Sequence, residues 1–189
     1  MFIPLIKKAI EINNNIKFDL LTNGLLFTED FYNKLDLKKI IKRIQITVSA
    51  AKKQTYEKLL SGSDFKKVKE NIKFIGELRK NNEIDEFYLA FVTSKINYKE
   101  PPEFIELCIK NNAIALIWEL RTVQNTKLCQ DIENQAVWKE THPNYNDFVR
   151  TIKLIKNKYS ENSYILHDIF SKLEPISIID ELKTKLKIR

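Results

Sequence analysis

Residues 43–93 read RIQITVSAAKKQTYEKLLSGSDFKKVKENIKFIGELRKNNEIDEFYLAFVT. The stretch opens and closes on β-branched or aromatic runs of strand length, Arg43–Val48 and Phe87–Thr93. Between them Phe65, Val68, Ile72, Ile75 and Leu78 recur at helical spacing, so one amphipathic helix spans Asp64–Asn81, with Ser63 as its expected cap. A shorter helix is expected over Lys53–Leu60. Strand, helix, strand in that order is a crossover unit, and such units build parallel sheets. The pattern continues in both directions. Upstream lie a helix over Pro4–Asn13 and a strand over Ile16–Leu21 that ends in the turn residues Thr22, Asn23 and Gly24. Thr28 then caps a helix through Leu35, with Glu29 and Asp30 in its first turn. Downstream, Pro101-Pro102 opens a helix carrying Phe104, Ile105 and Cys108, Asn111-Asn112 ends it, and Ala113–Leu120 (AIALIWEL) is a fourth strand. Thr122–Pro143 is expected to be largely loop, followed by helices at Tyr145–Ile155 and Ser177–Lys187. The fold expected is an α/β partial (β/α) barrel of four parallel strands in sequential order with outer helices. Nearly continuous apolar strands suggest a sheet covered on both faces.

The chain has 189 residues, enough for one domain with a sizeable core. With 43% hydrophobic and 30% charged residues it is not a disordered sequence. Thirty-two Lys and Arg against 25 Asp and Glu leave a charge of +7, but the basic residues are spread along the chain among acids rather than gathered for phosphate. They read as solvated helix faces, and no nucleic-acid partner is expected; a basic nucleic-acid module rests on charge alone. No apolar run reaches membrane-spanning length, and no signal peptide is evident at the N-terminus, so a cytoplasmic protein with no membrane partner is expected. Two cysteines, Cys108 and Cys129, make neither a disulfide framework nor a four-cysteine metal site. His142 and His167 read as structural histidines, on a loop and on a helix surface, rather than a metal pair. Trp118 reads as core. Asn97 reads as the start of the turn before Pro101, with the strand mouth as the alternative. Arg121, directly after the fourth strand, meets an anionic group or pairs with Glu119 or Asp131.

Three segments carry a family likeness. FDLLTNGLLFTEDFYNKL (18–35), the 43–80 stretch with its Ala-Ala-x-x-x-Thr-Tyr-Glu-Lys run, and FYLAFVTSKINYKEPPEFIEL (87–107) follow in order, with THPNYNDF (141–148) and HDIFSKL (167–173) behind them. Together they resemble the second half of a radical S-adenosylmethionine core domain, most closely in the subset that often carries a C-terminal auxiliary-cluster (SPASM) domain. The likeness covers residues 1–175 as a partial barrel domain and leaves 176–189 as a helical tail. It implies a cofactor pair, a 4Fe–4S cluster and S-adenosylmethionine, whose reductive cleavage gives a radical that abstracts hydrogen from substrate. The cluster is held by a CxxxCxxC loop in the other half of the barrel, and these 189 residues contain no such loop. The resemblance further implies that Thr22, Asn23, Gly24, Thr47, Ser49 and Arg121 line the cofactor cleft. Two positions depart from the family. Ser49 stands where a carboxylate is common, and Leu60 stands where an Arg often pairs with the cofactor carboxylate.

Three expectations follow. The chain is a truncated or split member, inactive alone and binding no cofactor alone, that acts with a separate N-terminal half; or it is a non-catalytic binding or assembly module on the same fold. The strand at Ile16–Leu21 has an exposed edge. That edge, with the Pro4–Asn13 helix, recruits the missing half or a second copy of the chain.

Overall fold

A computed structural model describes residues 2–120, 127–159 and 165–167, with backbone alone described at 2–3, 7, 39, 127–130 and 165–167. Its elements run α1 (Phe2–Ile12), β1 (Phe18–Thr22), α2 (Glu29–Lys34), β2 (Ile41–Thr47), α3 (Lys53–Leu59), α4 (Phe65–Lys80), β3 (Glu86–Thr93), α5 (Pro101–Lys110), β4 (Ile114–Glu119), α6 (Lys127–Gln135), α7 (Tyr145–Tyr159) and β5 (Ile165–His167). All strand pairs are parallel and the sheet order is β1-β2-β3-β4-β5, the sequential order expected of a partial (β/α) barrel.

Local chemistry explains most boundaries. Thr28 caps α2 by accepting the Phe31 N–H at 3.1 Å. Asp64, not Ser63, caps α4, accepting from the N–H groups of Lys66 at 2.9 Å and Lys67 at 3.2 Å. A carboxylate one residue later reaches the same orphan donors and adds charge at the positive end of the helix. Phe65, Val68, Ile72, Ile75 and Leu78 of α4 are all buried, as their spacing requires, and α5 buries Phe104, Ile105 and Cys108.

The structure differs from expectation in four places. A fifth strand, β5, pairs with β4 through Ile117 and His167, so His167 lies on a strand and not on a helix surface. The supposed loop before Pro143 contains α6. Its apolar residues are too sparse for periodicity to announce a helix. The sheet is not covered equally on its two faces. Ile44, Ile46, Phe87, Leu89, Phe91, Ala115 and Ile117 are buried on one face. On the other, Asp19, Leu21 and Thr47 are exposed and Arg43, Gln45, Tyr88, Leu116 and Trp118 are partly exposed. Trp118 is therefore on the open face and not in the core. The expected helix at Ser177–Lys187, the tail 176–189 and Arg121 lie outside the described residues.

Candidate functional site

The C-terminal ends of the strands form one edge of the sheet, where an α/β barrel places its chemistry. At the end of β1, Thr22 Oγ1 accepts the Gly24 N–H at 3.2 Å and Asn23 Oδ1 accepts the Leu25 N–H at 3.1 Å. Gly24 has φ +77°, and a Cβ there would press on the Ile46 side chain at 3.0 Å. Conformation and space thus both require glycine. Its carbonyl accepts from Asn71 Nδ2 of α4 at 2.7 Å, which anchors the turn to the helix layer.

Parallel register sets Thr22 against Ile46, so this turn lies beside Thr47, Val48 and Ser49 at the end of β2. Thr47 is exposed and on the open face. Ser49 takes the left-handed conformation, φ 55°, which costs free energy for a residue with a Cβ. A buried knot offsets that cost. Ser49 Oγ accepts the Val92 N–H at 3.1 Å, and its carbonyl accepts from Asn97 Nδ2 at 2.7 Å. Asn97, 1% exposed, also donates to the Val92 carbonyl at 2.8 Å, and its Oδ1 accepts the Ser94 N–H at 2.7 Å. Asn97 does begin a turn, and in doing so fastens β2 to β3 at the mouth.

Glu100 is a member of this assembly that sequence reading overlooked. It is 5% exposed, and its Oε2 accepts the N–H groups of Ala51 at 2.8 Å and Lys52 at 3.1 Å, while Oε1 accepts the Thr55 hydroxyl. Lys52, the residue at the N-cap of α3, makes no side-chain cap, so the capping acceptor comes from the loop after β3. The local signal was poor: an acid just before Pro101-Pro102 reads as an ordinary first-turn residue of α5.

A cleft of about 440 Å³ opens beside the mouth, lined by Lys95, Asn134, Thr141, His142 and Asn144 among others. His142 is buried, with Nε2 3.1 Å from the Asn134 carbonyl and Nδ1 accepting the Asn144 N–H at 3.0 Å. Both ring nitrogens tie α6 to the start of α7, in keeping with a structural histidine.

At the opposite end of the open face is an ionic cluster. Register places Asp19, Arg43 and Glu86 side by side. Arg43 Nε donates to Glu86 Oε2 at 2.5 Å, Arg43 Nη1 is 3.5 Å from Asp19 Oδ2, and the Tyr88 hydroxyl donates to Glu86 at 2.9 Å. Burial works to raise the Glu86 carboxyl, but the bonds from Tyr88 and Arg43 outweigh it and hold the group below the usual carboxylate range. A depressed folded-state value gives stability that is present above the unfolded value and is lost as pH falls through the folded one. Glu86→Gln is therefore expected to flatten the acid limb of the stability profile from the ordinary glutamate value near 4.5 downward. Chemical denaturation across pH 2 to 7 checks this, and an unchanged acid limb would contradict it.

Among the described residues the side chains do not fit an iron–sulfur cluster. Cys108 is 0% exposed and burial pushes its thiol well up, whereas a cluster is held by thiolates. Cys129 lies on α6, where only backbone is described. Among the described residues no three His, Cys, Asp or Glu side chains converge on a possible metal position. In a Cys129→Ser variant, Cys108 is expected to resist a thiol reagent until the chain unfolds; labelling at the native-state rate of a free thiol would contradict its burial. The open end of the sheet presents a different set of groups. Thr47 offers a hydroxyl, Asn23 an amide nitrogen and Trp118, beside Val92 in register, an aromatic face. Leu60, 38% exposed at the end of α3, offers nothing to a carboxylate.

Among the described residues no helix is long and apolar enough to cross a membrane. No protein-family model and no curated protein matches the chain. Solved structures do. The α/β architecture is shared with them. In particular, the chain is similar to a crystal structure of Streptococcus suis SuiB, with a TM-score of 0.58 and 16% identity over 90% of this chain and 37% of that one. A crystal structure of SuiB bound to S-adenosylmethionine gives a TM-score of 0.59 and 16% identity over 95% of this chain and 40% of that one. Likeness at this identity establishes the fold, and the chain spans about two fifths of the SuiB length.

Proposed function

We propose that these 189 residues serve as one half of a radical S-adenosylmethionine-type barrel, inactive alone, and that a separately supplied half carrying a CxxxCxxC loop completes it. The observation that carries the barrel part of this reading is the match to S-adenosylmethionine-bound SuiB over 95% of the chain at a TM-score of 0.59. In this reading Thr22, Asn23, Gly24, Thr47 and Ser49 line the cofactor cleft and Arg121 meets an anionic group there. When bound, the cluster and S-adenosylmethionine supply the radical that abstracts substrate hydrogen. This chain supplies orientation. The Thr22–Gly24 turn and the Ser49–Asn97 knot hold the strand ends rigid, and Thr47 and Trp118 present a polar and an aromatic contact.

One observation favours a second reading, a non-catalytic assembly module on the same fold. Ser49 Oγ and the oxygens of Thr22, Asn23 and Asn97 are all engaged by nearby backbone N–H groups. Equilibrium dialysis separates the readings. With a co-expressed half carrying CxxxCxxC, the split-barrel reading expects S-adenosylmethionine binding that Thr47→Val weakens and that this chain alone lacks. An assembly module expects no binding in either sample.

A further inference from the structure

Among the described residues β1 is an edge of the sheet, and nothing in its sequence, FDLLT, guards that edge with proline or lysine. The four most exposed large aliphatic side chains among the described residues are Leu5, Ile12, Leu21 and Leu26, at 69, 77, 69 and 75%. All four belong to α1, to β1 or to the loop after it, and Leu154 of α7 follows at 64%. On the open face Asp19 and Glu86 both contact the guanidinium of Arg43, and Lys42 adds positive charge near Glu86. Glu86 has the closer contact and a second donor in Tyr88, whereas Asp19 is 3.5 Å from Arg43 and 48% exposed.

We infer that the free edge of β1 accepts an extended strand, parallel to β1, which carries a basic residue at the level of Asp19 and an aliphatic residue at the level of Leu21. The inference rests on the reading that another segment completes the barrel, and it names that segment's chemistry. Backbone hydrogen bonds to the edge supply the docking and the alternating side chains supply the choice of partner. A cation beside Asp19 completes the pairing of the second carboxylate, while an acid at that level is repelled.

The test uses two labelled, acetylated peptides of alternating valine and threonine, one with a central arginine and one with a central glutamate, titrated with the 189-residue chain. The arginine peptide is expected to bind at least about tenfold more tightly, a difference of about 1.4 kcal/mol. Asp19→Asn, with its circular dichroism and melting unchanged, removes the preference. Leu21→Lys abolishes binding of both, and hydrogen exchange slows at amides 19–22 when the arginine peptide is bound. Equal binding of the two peptides, binding that survives Leu21→Lys, or no binding by either overturns the inference. Because dialysis of S-adenosylmethionine uses no peptide, cofactor binding without peptide preference would overturn the edge chemistry alone. Peptide preference without cofactor binding would overturn the function alone.

Discussion

Replacing Glu100 with alanine is expected to lower the unfolding free energy by about 3 kcal/mol, because charge-assisted bonds are lost and buried donors are left unsatisfied. The carboxylate is nearly enclosed and accepts from Ala51, Lys52 and Thr55 at once. Its removal strips α3 of a cap that no residue of its own provides. Glu100→Gln keeps an oxygen for the two backbone N–H groups and should recover about half of the loss. Urea denaturation with unchanged slope checks both values. A loss under about 0.5 kcal/mol for the alanine variant, the level of an ordinary surface substitution, would contradict the role assigned to Glu100.

Gly76→Ala is expected to destabilise by about 2–3 kcal/mol, although alanine is the better helix former by about 1 kcal/mol. A Cβ at position 76 would lie 2.4 Å from the Asn111 carbonyl oxygen, a backbone atom that cannot rotate away. The turn it strikes is held on several sides. Arg79 Nη1 donates to the Asn112 carbonyl at 2.6 Å, Asn112 Nδ2 to the Gly76 carbonyl at 3.3 Å, and Asn111 Nδ2 to the Leu107 carbonyl at 2.7 Å. Steric exclusion therefore outweighs propensity, and a neutral or stabilising result would show that α4 and the α5–β4 turn are free to separate.

Most of the sheet was legible because its elements obey single periods. The α4 face read at helical spacing is the buried face, and the four strands read from β-branched runs are strands in the expected order. What escaped lacks such a period. β5 is three residues long, and α6, KLCQDIENQ, has too few apolar residues to reveal its face. Alternation alone could not say which faces of the sheet were covered. Trp118 was therefore placed in the core when it belongs to the open face.

The mouth was legible in part. Thr22, Asn23 and Gly24 have the turn chemistry that their identities advertise, and Gly24 is required by both conformation and space. Asn97 read correctly as a turn residue, but its bond to the Ser49 carbonyl joins segments 48 positions apart, and no local pattern encodes it. Glu100 is the same case: its partners lie 45 to 49 positions away. Long-range polar bonds of this kind emerge only once the strands are paired.

The split-barrel account meets its most direct test in anaerobic formation of 5′-deoxyadenosine. The co-expressed half carrying CxxxCxxC is reconstituted with iron and sulfide, reduced, and given S-adenosylmethionine with and without the 189-residue chain. The account predicts that neither part produces 5′-deoxyadenosine alone and that the mixture does, with Thr47→Val reducing the rate. Equal production whether or not the chain is present would contradict it.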